Sequence, residues 1–519
     1  MGRATLALAA IALGVKGLGL VEKLVIAHYF GIDERVDAFF VAVSVPIALF
    51  LFVREVVEPG FLPLFVQHLD AGHEGRAWRL FRTVGTWVAL VTLPLAVAGW
   101  SMSSELASLL APGFPPSTLE ITARLIRVLI AGGVLLALSV LSYSALNGYR
   151  RFALPAAGDL VLKAAPTVGA VFLAHRLGVV ALAFGALVGC GGRLLVHLVG
   201  LRRELRWPRG SDEASAEDRR TLCALMAPLA LGMVLSQVSD LADNFFSSGL
   251  GPGSVAARTY ARKIVDLPIL LLPYGLSVVA FPYLSSYASR REWSYAYGFL
   301  AQTLRGLAMV FLALGVPAVI LAEPIVALLL EHGAFDAKAR ELTAGVFRLY
   351  AAGLVTFAFE ALLVPFYFAL RDTRTPVVVG ILGVLIKLGL IPLLIGSLGV
   401  AGVAAALTIS KTVKVLLLGL LLKRKRPELC IAPVLATSFR LGLATGVAAL
   451  GVYAVASVLR WPGPTAPLLL QLGYIAVASG CGGALFVGSV LAVASPERQM
   501  VLEWSAVVTG VVRRRIRGV

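Results

Sequence analysis

Charged residues are scarce in this sequence. Asp, Glu, Lys and Arg together make up 14% of its 519 residues, whereas 59% are hydrophobic and the mean hydropathy is +0.88. A soluble domain is about a quarter charged and about half apolar. The composition therefore excludes a soluble globular protein and predicts an all-α integral membrane protein.

Cysteines are few, and catalytic motifs are absent. No G-x-x-x-x-G-K-[ST], H-E-x-x-H or G-x-S-x-G motif occurs, and the longest polar loop has about 20 residues. We therefore expect no enzyme activity, no cofactor and no direct use of ATP, which leaves the membrane potential or an ion gradient, such as that of Na+, as the driving force. The four cysteines are scattered without a C-x-x-C pair and indicate neither a disulfide framework nor a zinc site: Cys190, Cys223, Cys430 and Cys481.

Long apolar runs dominate what is present. A helix needs about 20 residues to cross the hydrocarbon core of a bilayer. On that rule the sequence predicts about 14 transmembrane helices, at 4–29, 36–66, 78–110, 118–147, 154–175, 178–201, 220–248, 255–286, 293–329, 341–369, 375–396, 399–422, 434–459 and 467–494.

Basic residues lie mainly in the loops on one side of this topology. About 25 lysines and arginines fall on the side of both termini and about five on the other, which predicts that both termini are cytoplasmic. The net charge of +17 then reflects loop topology and not binding to nucleic acid. The first apolar segment carries Lys16, Glu22 and Lys23 and lacks a cleavage site, so we interpret it as a retained helix and not a signal peptide.

An internal repeat relates the two halves of the sequence. VDAFFVA at 36–42 aligns with VAARTYA at 255–261, 219 positions later, and Arg150 aligns with Arg371 at a spacing of 221. Six spans per repeat give two parallel six-helix repeats with a site between them, plus two extra C-terminal helices. We predict an N-lobe at 1–201, a cytoplasmic linker at 202–219, a C-lobe at 220–422, two added helices at 423–494 and a cytoplasmic amphipathic basic tail at 495–519.

Several charged residues fall inside the apolar spans. Such residues are costly in a membrane and usually face a bundle interior or a water-filled cavity. They concentrate in two related stretches, which predicts a charged cavity between the two halves. The members are Asp37, Arg54, Glu55 and Glu58 in the first stretch and Asp240, Asp243, Arg262, Lys263 and Asp266 in the second.

Five segments carry a resemblance to a known family. They are HYFGIDERVDAFFVAVSVP (28–46), LLAPGF (109–114), SDLADNFFSSGLGPGSVAARTYARKIVDLP (239–268), LLPYGLSVVAFPYLSSYA (271–288) and ALRDTRTPVVVG (369–380). Together with the repeat, they resemble the MurJ (MviN) family of the multidrug/oligosaccharidyl-lipid/polysaccharide exporter superfamily. The resemblance implies a lipid II flippase that moves this lipid-linked peptidoglycan precursor to the outer leaflet by alternating access. The two added helices would hold its polyprenyl tail.

The resemblance also implies roles for the intramembrane charges. The substrate-binding candidates, which would hold the diphosphate, are Lys16, Lys23, Arg54, Arg262 and Lys263. The candidates for gating or charge pairing are Asp37, Glu22, Glu55, Glu58 and Asp266. The alternative is that these cations only form internal salt bridges with the acids.

Two features leave the substrate and the coupling ion open. Lysine is a point charge where family members carry the bidentate fork of arginine, so the alternative substrate is another polyprenyl-linked oligosaccharide, of exopolysaccharide or O-antigen type. A sodium site in the family lies between spans 7 and 11, which makes Asp240, Asp243 and Lys387 the ion-coupling candidates. Lys387 falls where an oxygen ligand is expected, so its ammonium could replace the ion and pair with Asp243 or Asp240, in a member that is not coupled to sodium. Alternatively, Lys387 snorkels to an interface.

The remaining intramembrane charges receive structural interpretations. Asp159 and Lys163 are spaced as an i,i+4 pair, and Lys411 and Lys414 as snorkelling lysines. Glu360, Arg124, Arg127 and Arg348 would steer substrate or pair across the halves, and Arg193 and His197 would face the cytoplasmic end. We expect a monomer whose partners are the glycolipid substrate and membrane lipids. A membrane enzyme and a non-transporting scaffold are the alternatives from other classes.

Overall fold

The computed structural model describes residues 2–206, 215–290, 292–370, 372–425, 432–493 and 495–503. Every named element in these ranges is helical, and the all-α membrane class is confirmed. The α-helices are α1 (Gly2–Phe30), α2 (Glu34–Phe52), α3 (Glu58–Asp70), α4 (Glu74–Ser101), α5 (Ser103–Leu110), α6 (Pro116–Gly148), α7 (Ala153–Leu177), α8 (Val180–Gly200), α9 (Ala216–Ser248), α10 (Ser254–Leu271), α11 (Pro273–Ser289), α12 (Trp293–Ile320), α13 (Ala322–Leu330), α14 (Ala337–Ala352), α15 (Leu354–Ala369), α16 (Arg374–Leu398), α17 (Val400–Lys425), α18 (Ala432–Leu459) and α19 (Leu468–Ala492).

Ten helical segments within the described ranges are long and apolar enough to cross a membrane. The pair α14 and α15, bent by 48°, would make an eleventh span. The bounds of the helices lie within a few residues of the predicted spans, but the number 14 stays a prediction. The predicted span 36–66 corresponds to one helical segment, Glu34–Asp70, in which a π-helical turn at Val53–Val57 joins α2 to α3.

Helix ends recur at the offset of the sequence repeat. The predicted spans 78–110 and 293–329 are each broken near one end, at Met102 and at Leu321, which are 219 positions apart. Gly178 ends α7 and Gly399 ends α16, both with φ of 55° and 221 positions apart. A backbone with this positive φ favours glycine. The recurrence supports the internal repeat at the level of local structure.

The first compact unit comprises residues 1–263 and 332–339. Its apolar core lies between α3, α4 and α6, where Phe61, Phe65, Trp78 and Leu146 are buried. The Trp78 indole Nε1 donates to the Tyr149 hydroxyl at 2.9 Å, which satisfies the polar end of each ring. Helices α7 and α8 pack along each other and α8 packs on α6, so the unit has a continuous helical interior.

The second compact unit comprises residues 264–331 and 340–519. Within it α15 packs on α11, α12 and α17, and α18 packs on α12 and α19. The Tyr367 hydroxyl on α15 donates to the Leu418 carbonyl oxygen on α17 at 2.6 Å. Asp372 accepts hydrogen bonds from the backbone N–H and the hydroxyl of Thr375 at the start of α16, and from Lys425. Burial raises the pKa of Asp372, but these hydrogen bonds outweigh it and hold that pKa below its usual value.

The predicted tail is partly described. Residues 496–503 are helical, and the carboxylate of Glu497 lies 3.3 Å from the Arg440 guanidinium on α18. The basic run at 513–517 and most of the linker, 207–214, lie outside the described residues. The predicted domain bounds therefore stay predictions.

Candidate transport site

Three ammonium groups gather around one carboxylate in the first unit. Glu22 on α1 is 6% exposed, and its carboxylate lies 2.9 Å from the Lys23 ammonium and 3.6 Å from the Lys163 ammonium of α7. Lys263 of α10 lies against Gly19, one turn before Glu22, where an added methyl group would be 3.1 Å from the Lys263 Nζ. The Lys263 charge also acts on Glu22. We call these four residues the lysine cluster.

The lysine cluster has the chemistry of an anion site. Ammonium groups donate to phosphate oxygens, and intramembrane charges of this kind usually mark substrate pathways. Lys163 retains 43% exposure of its side chain and Lys23 retains 17%, so the cations are not sealed by their contact with Glu22. Of the other predicted cations, Arg262 is partly buried on α10, whereas the side chain of Lys16 lies outside the described residues.

The predicted pair between Asp159 and Lys163 is wrong. Asp159 contacts Arg193 of α8 at 3.1 Å, while Lys163 contacts Glu22 of α1. Although Asp159 and Lys163 are four residues apart on α7, they contact two different neighbouring helices, and each forms its ion pair with a residue of that helix. Lys163 was missed as a functional candidate because its sequence neighbour Asp159 already offered a complete local explanation.

A second charged group surrounds the π-helical turn. Arg54 and Glu55 are exposed and Glu58 is half-buried, next to Arg54 and to the Ser144 hydroxyl. A π-helical turn inserts one residue into the helical register and is frequent at functional sites. Here it carries two of the predicted site residues.

Asp37 forms a helix cap and not the predicted charge pair. It is 1% exposed, and its two carboxylate oxygens accept from the backbone N–H groups of Gly253 and Ala256, each at 2.7 Å. An acid at this position satisfies free N–H groups at the N-terminus of α10. Gly253 has φ of +83°, and a methyl group there would overlap the Ile32 carbonyl oxygen, so only glycine permits the approach. We call the contacts of Asp37 with Gly253 and Ala256 the latch.

Further contacts surround the latch in the first unit. The Tyr260 hydroxyl donates to the Gly31 carbonyl oxygen at 3.1 Å, and the Ala334 N–H donates to the His28 carbonyl oxygen at 2.8 Å. The Gly113 N–H donates to the Ser248 hydroxyl at 3.1 Å. Four loops thus meet at one end of this unit, and hydrogen bonds across them hold that end together.

The ion-coupling candidates are placed as follows. Asp243 on α9 is buried and lies 3.4 Å from the Arg258 guanidinium, which also donates to Asn244 at 2.6 Å. Asp240 is exposed on the same helix. In the second unit Lys387 is 2% exposed on α16, which argues against the snorkelling alternative, and Asp266 is partly buried on α10.

A cluster in the second unit corrects two predictions. Glu360 on α15 receives both lysines of α17, Lys411 at 2.5 Å and Lys414 at 2.7 Å. The two lysines therefore form ion pairs and do not snorkel, and Glu360 pairs within its own unit. Arg348 likewise lies 3.4 Å from Glu323 in that unit. Lys411 and Lys414 are three positions apart, which places both on one face of α17, and this spacing could have indicated from the sequence that they share one acidic partner.

Solved transporter structures share the fold of this chain. A multidrug resistance MATE family transporter of the MOP superfamily, in an inward-facing conformation, matches with a TM-score of 0.65 at 18% identity, covering 80% of this chain and 94% of that chain. A lipid II flippase MurJ in an inward closed conformation matches with a TM-score of 0.75 at 21% identity, covering 94% and 100%. With its intramembrane charges, the chain has the fold of a transporter of this superfamily.

The sequence profile described as Lipid II flippase MurJ matches residues 26–466. The chain therefore belongs to the MurJ family. The lipid II flippase MurJ of Burkholderia cenocepacia is 28% identical over 449 residues, covering 82% of this chain and 84% of that protein. A probable lipid II flippase MurJ of Buchnera aphidicola is 27% identical over 407 residues, covering 77% and 80%. This family consists of transporters, which confirms the predicted family and the prediction that the chain is not an enzyme.

Proposed function

We propose that this chain flips a polyprenyl-diphosphate-linked peptidoglycan precursor of the lipid II type across the bacterial inner membrane. The observation that carries the proposal is the lysine cluster, in which Lys23, Lys163 and Lys263 gather around the single carboxylate of Glu22. A diphosphate offers several anionic oxygens and would replace Glu22 as the partner of these ammonium groups. Membership of the MurJ family supports this substrate class.

Transport by alternating access requires one end of the molecule to close while the other opens. The latch supplies a closed state for one end, because Asp37 holds the start of α10 with two hydrogen bonds. With both termini in the cytoplasm, the latch lies at the outer side of the membrane. The membrane potential contributes about 2.3 kcal/mol per charge for each 100 mV and would return an empty cationic site toward the cytoplasm.

The substrate is tested by complementation of a strain depleted of its peptidoglycan-precursor flippase. Wild type should rescue growth, Lys263→Ala should fail at equal expression, and Lys423→Ala, which removes an exposed lysine at the end of α17, should rescue. Rescue by Lys263→Ala would reject the lysine cluster as the substrate site. Failure of a well-expressed wild type would assign another polyprenyl-linked oligosaccharide as the substrate.

Sodium does not drive transport under this proposal. Lys387 places a buried ammonium group in the interior of the second unit, where it would take the place of a bound cation. Flipping rates in proteoliposomes should be equal in sodium and potassium buffers at the same ionic strength and membrane potential. A rate that rises severalfold with sodium alone would reject this part of the proposal. If flipping by Lys387→Met became dependent on sodium, this result would support the proposal that the Lys387 ammonium takes the place of a bound cation.

A further inference from the structure

A second ionic cluster lies inside the first unit, apart from the lysine cluster. It consists of two guanidinium groups, Arg54 and Arg193, and two carboxylates, Asp159 and Glu58. Together with the rings of Phe50 and Tyr143, they line a cavity of about 20 Å³. A cavity of this size holds about one water molecule and excludes a phosphate. The cluster is therefore not itself a substrate pocket, although one of its members was predicted to bind substrate.

Arg193 is the fixed member of the cluster. It is 4% exposed, its guanidinium lies 3.1 Å from the Asp159 carboxylate, and its Cζ lies 5.2 Å from the centre of the Phe50 ring and 5.6 Å from that of Tyr143. Its Nε is buried and has no hydrogen-bond partner among the described residues. A guanidinium carries five donors, so the adjoining cavity provides the place for a water molecule that accepts from it.

Close packing of α7 on α8 holds this arrangement. His197, one turn after Arg193, is fully buried, and its Nδ1 lies 3.2 Å from both the Ser142 hydroxyl and the Ser139 carbonyl oxygen. A methyl group at Gly158 of α7 would lie 2.5 Å from the His197 Nε2. The absence of a side chain at Gly158 therefore lets α7 approach and places the neighbouring Asp159 beside Arg193.

Arg54 is the exposed member. The π-helical turn carries it, and its Cζ lies 5.9 Å from the centre of the same Phe50 ring on which Arg193 rests. Two like charges near one ring repel each other. Asp159 and Arg54 line the same cavity, so Asp159 would attract Arg54 inward if its charge were not already paired with Arg193.

The geometry points to Arg193 as a positioning residue, which occupies Asp159 and thereby keeps Arg54 outside and available to the anionic group of the substrate. This inference rests on the proposed function, because it assumes that Arg54 binds the diphosphate. Removal of the Arg193 charge would release Asp159 to recruit Arg54. Removal of both charges would leave Glu58, which already lies next to Arg54, as the one carboxylate of this cluster, and Arg54 would return to its exposed state.

The test measures binding of farnesyl diphosphate, a short polyprenyl diphosphate, to the purified full-length protein. Arg193→Met should weaken binding about tenfold, as far as Arg54→Ala does, and the double variant Asp159→Asn/Arg193→Met should bind within about threefold of wild type. Asp159→Asn alone should bind as wild type or tighter, since this variant lacks the carboxylate that could draw Arg54 away from the substrate. Arg193→Lys keeps the charge and should bind as wild type.

Unchanged binding in Arg193→Met would overturn the inference, as would weak binding in the double variant at an unchanged melting temperature. If Arg193→Met does not fold, equal loss of binding in Asp159→Asn and Arg54→Ala overturns it instead. A cryo-EM structure of Arg193→Met separates this inference from the proposed substrate. Arg54 should turn onto Asp159 whether or not a diphosphate binds, and an unmoved Arg54 would overturn the inference. Absence of diphosphate binding in wild type would overturn the proposed substrate instead.

Discussion

Glu22 stabilises three ammonium groups that lie in apolar helices of the first unit. A buried charge is strongly unfavourable unless it is paired, and Glu22 provides one carboxylate to Lys23 and Lys163 while it lies near Lys263. A diphosphate carries more charge and more acceptor oxygens than one carboxylate, so under the proposed function it competes well for these ammonium groups. Under the proposed function, the residue that stabilises the empty site is the one that the substrate would displace.

Lys163 provides a test of this competition at the scale of one residue. Its side chain is 43% exposed, so loss of its charge should cost about 1 kcal/mol of binding and raise the apparent KM for a polyprenyl-diphosphate lipid about fivefold. The measurement is the initial flipping rate of Lys163→Met in proteoliposomes at increasing lipid content. Lys163→Arg should keep the wild-type KM. A wild-type KM in Lys163→Met would remove this residue from the site.

The pairings of single charges were the part that the sequence predicted least well. The i,i+4 rule pairs Asp159 with Lys163, but it describes an isolated helix surface. In the folded unit, α7 lies between α1 and α8. Asp159 pairs with Arg193 of α8 and Lys163 pairs with Glu22 of α1, and both partners are more than 30 positions away in the sequence. Such partners depend on tertiary packing, which no local spacing contains.

At the scale of secondary-structure elements, α10 begins on a side chain from α2. Asp37 is separated from Ala256 by 219 positions, yet its two oxygens accept from the N–H of Gly253, directly before α10, and from that of Ala256 in the first turn of α10. A cap that comes from another span couples the start of one helix to the position of the other. Opening of this end of the unit must break both hydrogen bonds or carry α2 along.

Asp37→Asn should weaken the latch. An amide offers one oxygen where the carboxylate offers two, and it loses the charge, so the closed state should lose about 1–2 kcal/mol. Ser254 lies between Gly253 and Ala256 in the sequence and is 1% exposed, so its accessibility reports on this change. Ser254→Cys in a background without the native cysteines should react faster with a membrane-impermeant maleimide when Asp37→Asn is present.

Asp33→Asn is the matched control for the latch. Asp33 caps α2, its own neighbouring helix, by accepting from the N–H groups of Arg35 and Val36. The same chemical change there should leave the labelling rate of Ser254→Cys unaltered. Equal labelling rates of Ser254→Cys with and without Asp37→Asn would show that the latch does not control the opening of this end of the unit.

The sequence predicted where the helices lie, but it did not predict the positions at which they are interrupted. Runs of about 20 apolar residues place the helices because the membrane fixes their length. The π-helical turn at Val53–Val57 and the breaks at Met102 and Leu321 fall inside apolar runs that continue across them. The predicted spans 78–110 and 293–329 are longer than a membrane crossing needs, which leaves room for a break, but each was predicted as one span and no local signal places the break at Met102 or Leu321.

At the scale of the whole molecule, the added helices α18 and α19 belong to the packing of the second unit. They bury Ala444, Ala448 and Phe486 with Met309 of α12, and Val452 and Tyr474 pack around Leu321. The two helices predicted to lie beyond the repeat therefore extend the apolar core of the second unit. A substrate with a long hydrocarbon tail and a charged head needs such an apolar surface in addition to a cationic site.

A groove next to α18 is the place to test for the tail. A cavity of about 240 Å³ in the second unit is lined by Phe311, Gly315, Ala351, Thr445 and Ala449. Gly315→Leu should fill part of it without disturbing the fold, since a methyl group at Gly315 would lie 3.6 Å from the Ala351 carbonyl oxygen, an ordinary contact. If the polyprenyl tail lies there, the variant excludes about two methylene groups from contact, worth about 1.6 kcal/mol, and slows flipping of an undecaprenyl lipid about tenfold.

The length of the tail makes this prediction specific. A farnesyl-linked lipid with the same head group is too short to need the whole groove, so Gly315→Leu should flip it at nearly the wild-type rate. Gly419→Leu adds the same side chain at an exposed position of α17 with no atom within 4 Å and should affect neither lipid. Equal slowing of both lipids by Gly315→Leu would indicate general damage to transport, and no slowing of either would place the tail elsewhere on the molecule.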